Sequence, residues 1–361
     1  MTHAPDSTGD DSVAVLTGPD VTSGPYRLSA ERCRLIHKLM VRTRALEERT
    51  IKMSKSGEGY FWVGGPGEEA LNVCLGLQTH KGRGPAHDYL HLHYRNLGVM
   101  LALGMPMIDH VRQMAMTATD PHSRGRNFVC HYAVPAWNVV PVSSVIEIQY
   151  TMAPGTAIVQ KRHGGTGVSV VIGGDAGTAE GDFASCMVWS TRPGQELPVL
   201  MLVSNNGYGI STPAHTQHGE ANIAERGAAF GIPSAVVDGN DPIATWHALA
   251  KAFAYVRLER RPYLLEARVS RLYGHSSSSG AQRIPDELDP LDLFEQRLRQ
   301  AGVLTTEQME HIHQLAKDEA DDAVAQAVRE ARPVPEDVER FTYAPSKVDA
   351  VYPHDYTGLP K

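Results

Sequence analysis

The chain has 361 residues, is 42% hydrophobic and 21% charged, and carries a formal net charge of −7. That is the profile of a soluble globular protein of one large or two ordinary domains. It excludes nucleic acid as the main partner, because phosphate contacts need a basic face.

No apolar run reaches the roughly 18 residues of a membrane span. The four cysteines, Cys33, Cys74, Cys130 and Cys186, form no CxxC pair and read as reduced thiols of a cytoplasmic protein. Residues 1–27 hold four aspartates and one arginine. They offer neither the apolar centre of a secretory signal nor an Arg-rich presequence, so the segment reads as a flexible arm. A long helix is expected from Leu28 to about Ser54, with Ser29 as N-cap and Ile36, Leu39, Met40, Leu46 and Ile51 at near-helical spacing.

The Gly-rich stretch GEGYFWVGGPGEEA follows from Gly57, with a second helix opening near Glu68. Residues Pro85 to Arg95 turn polar and histidine-rich, helical text resumes from Met100 to Met116, and Thr117 to Pro141 is irregular. A loop of that length is usually functional or mobile. Val168–Ile172 and Val199–Val203 are apolar runs rich in β-branched residues, as in a parallel sheet covered on both faces. With a helix from Gly181 to Thr191 between them they make a βαβ unit. Strands at Ala235–Val237 and Tyr263–Val269 flank a helix from Pro242 to about Arg260, which completes a mostly parallel, doubly wound α/β domain. Leu291–Ala301 and Thr306–Arg332 are charged helical segments, so the domain runs from 28 to 332, and residues 333–361 form an extended tail rich in Pro and Tyr.

Ligands of an open parallel sheet bind beyond the carboxyl ends of its strands. The first central strand runs into GGDAGTAEGDF, which carries Asp175, and the second into SNNGYGISTP, which carries Asn205, Asn206 and Tyr208. A carboxylate, a carboxamide and a free backbone carbonyl are hard oxygen donors, the set that Mg²⁺ takes when phosphates fill the rest of its octahedron. Read singly, Asp175 caps the next helix and Asn206 serves a turn. Their place at successive strand ends favours a ligand. GGDAG is not GxGxxG and no GxxxxGK[ST] occurs, so dinucleotide and P-loop readings lack their phosphate cradle.

The pair GDAGTAEGDF and SNNGYGISTP, with Asp175 and Asn206 separated by 31 positions, resembles the thiamine diphosphate motif. From about Leu28 to Arg332 the chain resembles the α subunits of the thiamine-dependent first component of 2-oxo acid dehydrogenase complexes. RTRALEERTIKM, HYRNLGVMLALGMP, PVSSVIEIQ, VDGND and RLYGHSSSS carry the likeness. It is nearest to the branched-chain (2-oxoisovalerate) branch, with the pyruvate and acetoin enzymes as alternatives and a non-catalytic scaffold as a remoter one.

The resemblance implies the thiamine diphosphate-binding fold, with helices on both faces of the sheet. It also implies oxidative decarboxylation of a small 2-oxo acid, with transfer of the acyl group to a lipoyl carrier. The implied partners are a β subunit in an α₂β₂ heterotetramer and a lipoyl-bearing acyltransferase, with no nucleic acid and no membrane. Carried over residue by residue, it implies Mg²⁺ ligation by Asp175, Asn206 and the carbonyl of Tyr208. Tyr94 and Arg95 hold the diphosphate, and His275 serves as proton donor, with Arg271 in the same loop. Ser144 and Ile146 hold and wedge the aminopyrimidine, and Gly174, Ala176, Glu180 and Gly181 continue the metal motif.

The family's K⁺ site matches Ser143, Ile148 and Gln149, so its threonine oxygen is missing, and Glu147 stands where a small residue is usual. An altered or absent K⁺ site is expected. Ser204 stands where the branched-chain enzymes have an arginine. The serines 276–279, at a position phosphorylated in mammalian relatives, read as a flexible run. Tyr60, Phe61 and Trp62 are candidates for the acyl pocket, and His87, His91 and His93 are a weak zinc alternative.

Overall fold

The structure, a computed structural model, describes residues 19–340. It opens with an antiparallel hairpin, β1 (Val21–Ser23) and β2 (Tyr26–Leu28). Residues 1–18 of the expected flexible arm lie outside the described residues, but 19–27 are docked. Val21 is buried, Tyr26 stacks on His247 with ring centroids 5.0 Å apart, and Ser23 donates to Asp241. The long helix α1 (Ala30–Ser56) begins where Ser29 accepts from Arg32 N–H at 3.3 Å. It ends on Gly57 at φ 79°, a left-handed position that glycine adopts without a Cβ penalty.

Next come α2 (Glu69–Gln78), β3 (Tyr89–His91), α3 (Leu97–Ala102), α4 (Met107–Met114) and α5 (Ile148–Arg162). The helix expected from Met100 to Met116 is thus split in two, at Gly104 (φ 96°) and Pro106, whose ring cannot continue a helix. The core continues with β4 (Ser169–Gly174), α6 (Gly181–Ser190), β5 (Val199–Asn205) and the two-residue strands β6 (Tyr208–Gly209) and β7 (Thr212–Pro213). The chain then forms β8 (Ser234–Asp238), α7 (Pro242–Glu259), β9 (Tyr263–Arg268), α8 (Pro290–Gln300), α9 (Thr306–Ala327) and α10 (Glu336–Arg340). Of the tail expected to be extended, Glu336–Arg340 is one short helix, and 341–361 lie outside the described residues.

The main sheet has the order β3-β4-β5-β9-β8, parallel throughout. Alternate side chains build two cores. Val170, Ile172, Leu200, Leu202 and Leu265 pack towards α1, α2 and α7, whereas Val171, Val199, Met201, Val203 and Leu264 meet Tyr150, Ala157, Phe183 and Met187 of α5 and α6. Complete burial of a side chain of this size contributes about 1.5–3 kcal/mol, which is why both faces of β4 and β5 read as unbroken apolar text. No helix among the described residues is long and apolar enough to cross a membrane.

The C-terminal helices close over α1 through a bracket of His37, Glu295 and His313. Both imidazole Nε2 atoms meet Glu295 Oε1, at 2.8 and 2.6 Å. Against the cost of burial, hydrogen bonds from His313 and His37 pull the Glu295 pKa down to about 2, while the bond to Glu295 raises that of His313. The glutamate's contribution is present above its ordinary 4.5 and lost as pH falls towards 2, and that of His313 is complete below 6.5 and lost as pH rises through its elevated pKa. His313→Gln should therefore destabilise the fold most near pH 5.5, by no more than about 1 kcal/mol for so exposed a pair, with a matching fall in melting temperature. The deficit should shrink at pH 9. Thermal melts across that range decide it, and a deficit that grows with pH contradicts the bracket.

Candidate active site

Neighbouring parallel strands in register end side by side. Gly174, the last residue of β4, pairs with Ser204 of β5, so the loops carrying Asp175 and Asn206 leave the sheet next to one another. The Asp175 carboxylate is buried, and its Oδ2 has no hydrogen-bond partner. Burial raises its pKa, while Arg95 and backbone hydrogen bonds, including one from Asn206, hold it down. Asn206 Oδ1 accepts from Tyr208 N–H at 3.2 Å, and its Nδ2 lies 3.4 Å from Glu68 Oε1.

A 280 Å³ cleft opens above these tips. Its wall is drawn from six chain segments: His93 to Arg95 after β3, Ile146 and Glu147 before α5, Gly174 to Gly177 with Glu180 at the end of β4, Tyr208 to Ile210 after β5, Gln217 after β7, and His275 after β9. Arg95 is its cationic centre. The guanidinium is buried, donates from Nη2 to His275 Nδ1 at 3.0 Å, and lies 5.1 Å from the Tyr94 ring centroid. Burial, then Arg95 and Arg271, push the His275 pKa down to about 4, so its imidazole is neutral at pH 7. Because Nδ1 accepts from the guanidinium, the ring proton belongs on Nε2. A buried arginine and an orphaned carboxylate oxygen in one 280 Å³ cleft suit an anion accompanied by a hard cation.

A larger groove of 430 Å³ lies between α1 and α9, where Arg49 pairs with Asp321 and Arg44 is engaged by Glu69 and Asp289. The chemistry belongs to the smaller cleft. Residues 37–336 match the family model described as "Dehydrogenase E1 component". The chain belongs to the dehydrogenase E1 component family. Its relatives include "2-oxoisovalerate dehydrogenase subunit alpha" of Bacillus subtilis, 29% identical over 88% of this chain and 94% of the relative. The mitochondrial "2-oxoisovalerate dehydrogenase subunit alpha 2" of Arabidopsis thaliana is 30% identical over 74% of this chain, which spans 55% of that protein. The mouse mitochondrial subunit alpha is 28% identical over 85% of this chain and 70% of its own length.

In this E1-family chain the cleft gathers Tyr94, Arg95, Ile146, Gly174, Asp175, Ala176, Glu180, Tyr208 and His275. Asn206 is buried and not part of the lining. Ser144 is exposed, and its Oγ meets His131 Nε2 at 2.6 Å outside the lining. Gly181 opens α6 and is exposed. Arg271 does not line the cleft either. It lies 4.4 Å over the Tyr208 ring and donates to the Ile210 carbonyl at 2.6 Å, bracing the loop that follows β5.

The three histidines do not converge. His91 meets Thr156 Oγ1 at 2.8 Å and His87 meets the Arg83 carbonyl at 3.1 Å, whereas His93 lines the cleft and packs 3.8 Å from the Tyr94 ring. Trp62 is buried with its indole N–H on Glu47 at 2.9 Å, Phe61 meets Phe128 edge-on, and Tyr60 is exposed, so none lines the cleft. The serine run is tethered rather than loose. Ser277 N–H donates to the Trp62 carbonyl at 2.8 Å, Trp62 N–H donates to Ser277 Oγ at 3.0 Å, and Ser276 is buried.

Two acids gain weight from the structure. Glu147, at φ 61°, accepts from Gly174 N–H at 3.2 Å, and its Oε2 has no partner. Burial pushes its pKa up to about 8. A Cβ on Gly173 would lie 2.1 Å from one oxygen of Glu147, and a Cβ on Gly177 2.0 Å from the other, so these glycines make the room it occupies. Gln149 donates to the Ile172 carbonyl at 3.1 Å, and Ser143 Oγ accepts from Val145 N–H at 3.1 Å, so both side chains are engaged. Glu68, the second acid, escaped the sequence reading because a glutamate at a helix start reads as an exposed partner of the helix dipole.

Proposed function

We propose that the chain is the α subunit of a branched-chain 2-oxo acid dehydrogenase. It binds thiamine diphosphate with Mg²⁺ and contributes half of each active site for oxidative decarboxylation and acyl transfer to a lipoyl carrier. The single observation that carries this reading is the adjacency of the Asp175 and Asn206 loops, with the buried Asp175 Oδ2 left free for a cation. E1 components in general depend on thiamine diphosphate, which supplies the electron sink for loss of CO₂. The names of the relatives favour the branched-chain substrate over pyruvate or acetoin.

Asp175, the Asn206 amide oxygen and the Tyr208 carbonyl would hold Mg²⁺. One carboxylate among three ligands leaves the ion positive charge for a diphosphate. Arg95 offers a planar fork to the phosphate oxygens, and Tyr94 keeps that fork in place. His275 carries its proton on Nε2, and an anion beside it raises its pKa as Arg95 now lowers it. Ile146, 46% exposed at the rim, is the wedge under the aminopyrimidine, and Ser144 is its polar neighbour. Gly174, Ala176, Glu180 and Gly181 shape the metal loop. Arg271 acts by bracing Tyr208.

The rim itself points to a partner. Val145 is 65% exposed and Ile210 56%, beside Ile146, an apolar margin around a polar cleft. A β subunit covering this margin in an α₂β₂ assembly completes the site, with a lipoyl-bearing acyltransferase as acceptor. The four free, buried cysteines suit the reducing cytoplasm.

The test is titration of thiamine diphosphate with and without Mg²⁺, followed by a panel of 2-oxo acids and acetoin with the β subunit present. Metal-dependent binding and preference for 2-oxoisovalerate are expected. Binding indifferent to Mg²⁺ refutes the site, and preference for pyruvate or acetoin refutes the substrate. The buried Glu147 replaces or removes the K⁺ site, so exchanging K⁺ for Na⁺ should leave the titration and the melting temperature unchanged. An ordinary K⁺ requirement refutes that replacement.

A further inference from the structure

Glu68 lies at the start of α2, against the paired strand tips and the arginine of the cleft, and its side chain is almost wholly buried. Its Oε2 accepts from the Ser204 hydroxyl at 2.6 Å, while Oε1 lies 3.4 Å from Asn206 Nδ2 and 3.7 Å from Arg95 Nε. Helix stability does not account for it. An acid at a helix N-terminus gains about 0.3–1 kcal/mol from the dipole and gains it equally well in solvent, and Glu68 makes no capping hydrogen bond. Burying a charge costs more than that unless specific partners compensate it.

What those partners need is orientation. The two ends of a carboxamide are nearly isosteric, so an asparagine offers oxygen or nitrogen to a given point according to what holds its other end. A carboxylate only accepts, so it selects the NH₂ end. We propose that Glu68 is a positioning residue. It accepts from Asn206 Nδ2, turning Oδ1 towards the metal loop, and with the same oxygen it faces Arg95, linking the metal ligand to the diphosphate arginine. Ser204 anchors the other oxygen and so sets the angle at which Glu68 meets both. This inference rests on the assignment of Asn206 as a metal ligand.

The test uses the α₂β₂ enzyme with thiamine diphosphate and Mn²⁺ as probe, free Mn²⁺ being read by electron paramagnetic resonance. Glu68→Gln keeps the shape but removes the charge and one acceptor. Its Mn²⁺ affinity should fall about 10–100-fold, the usual loss when an outer partner of a metal ligand is removed. The melting temperature of the metal-free protein should change little, because relief of the carboxylate's desolvation offsets the loss of its pairing with Arg95. Ser204→Ala should shift Mn²⁺ affinity in the same direction by a smaller factor. A Glu68→Gln affinity within about twofold of the parent overturns the inference, as does an affinity loss matched by a fall in metal-free stability, the mark of a merely structural role. If the parent enzyme itself fails to bind Mn²⁺ with thiamine diphosphate, the assignment of the site falls first. Failure confined to the variants removes only the role of Glu68.

Discussion

Asp175→Asn is expected to abolish Mg²⁺-dependent binding of thiamine diphosphate while leaving the metal-free protein at least as stable as its parent. Loss of an outer partner of a metal ligand costs about 10–100-fold, so loss of the one carboxylate ligand should exceed that range, and turnover should fall with it. Stability should move the other way. Burial raises the Asp175 pKa, against Arg95 and backbone hydrogen bonds, so its charge opposes folding at neutral pH. For an acid whose folded pKa is elevated, that penalty is absent below the ordinary 3.8 and grows as pH rises through the folded value. The variant should therefore equal the parent in acid and match or exceed it at pH 7. Isothermal titration with the cofactor and melts at both pH values check the two halves. Undiminished metal-dependent binding would remove Asp175 from the site.

The second large effect concerns the partner. The isolated chain, supplied with Mg²⁺, thiamine diphosphate and a 2-oxo acid, should release no CO₂ above background, and addition of the β subunit should restore turnover. The cleft is open on the side of Val145, Ile146 and Ile210, so water reaches the reacting centre until another surface seals it. Robust turnover by rigorously β-free protein would overturn this division of labour.

Much of the fold was legible because its signals are local. Ser29 and Gly57 bound α1 as their residue types predict, Asp241 with Pro242 opens α7, and the apolar runs of β4 and β5 match a sheet buried on both faces. The pair Asp175 and Asn206 was legible for the same reason, since each follows its strand directly. The edge strand β3 was not, because its three residues include a tyrosine and a histidine within polar text. Nor was α5, which carries Pro154 and Gly155 in mid-helix and is stabilised by packing on α6 and the sheet rather than by its own propensity. Arg271 matched a motif yet braces a loop, because stacking on Tyr208 lies outside anything that linear spacing encodes. Glu68 and Glu147 were hidden for a further reason. What buries them comes from far along the chain, Ser204 and Asn206 in one case and the glycines after residue 172 in the other.

The lodging of Glu147 among Gly173 and Gly177 also constrains how this protein can change over generations. A methyl group on either glycine collides with the carboxylate, whereas shortening Glu147 first opens the space for it. The order of substitutions therefore decides their fitness: alanine at 177 is harmful on the present background and tolerable on one that has already lost the acid. Lineages should cross between the two arrangements by a single mutational route, through the smaller side chain at 147.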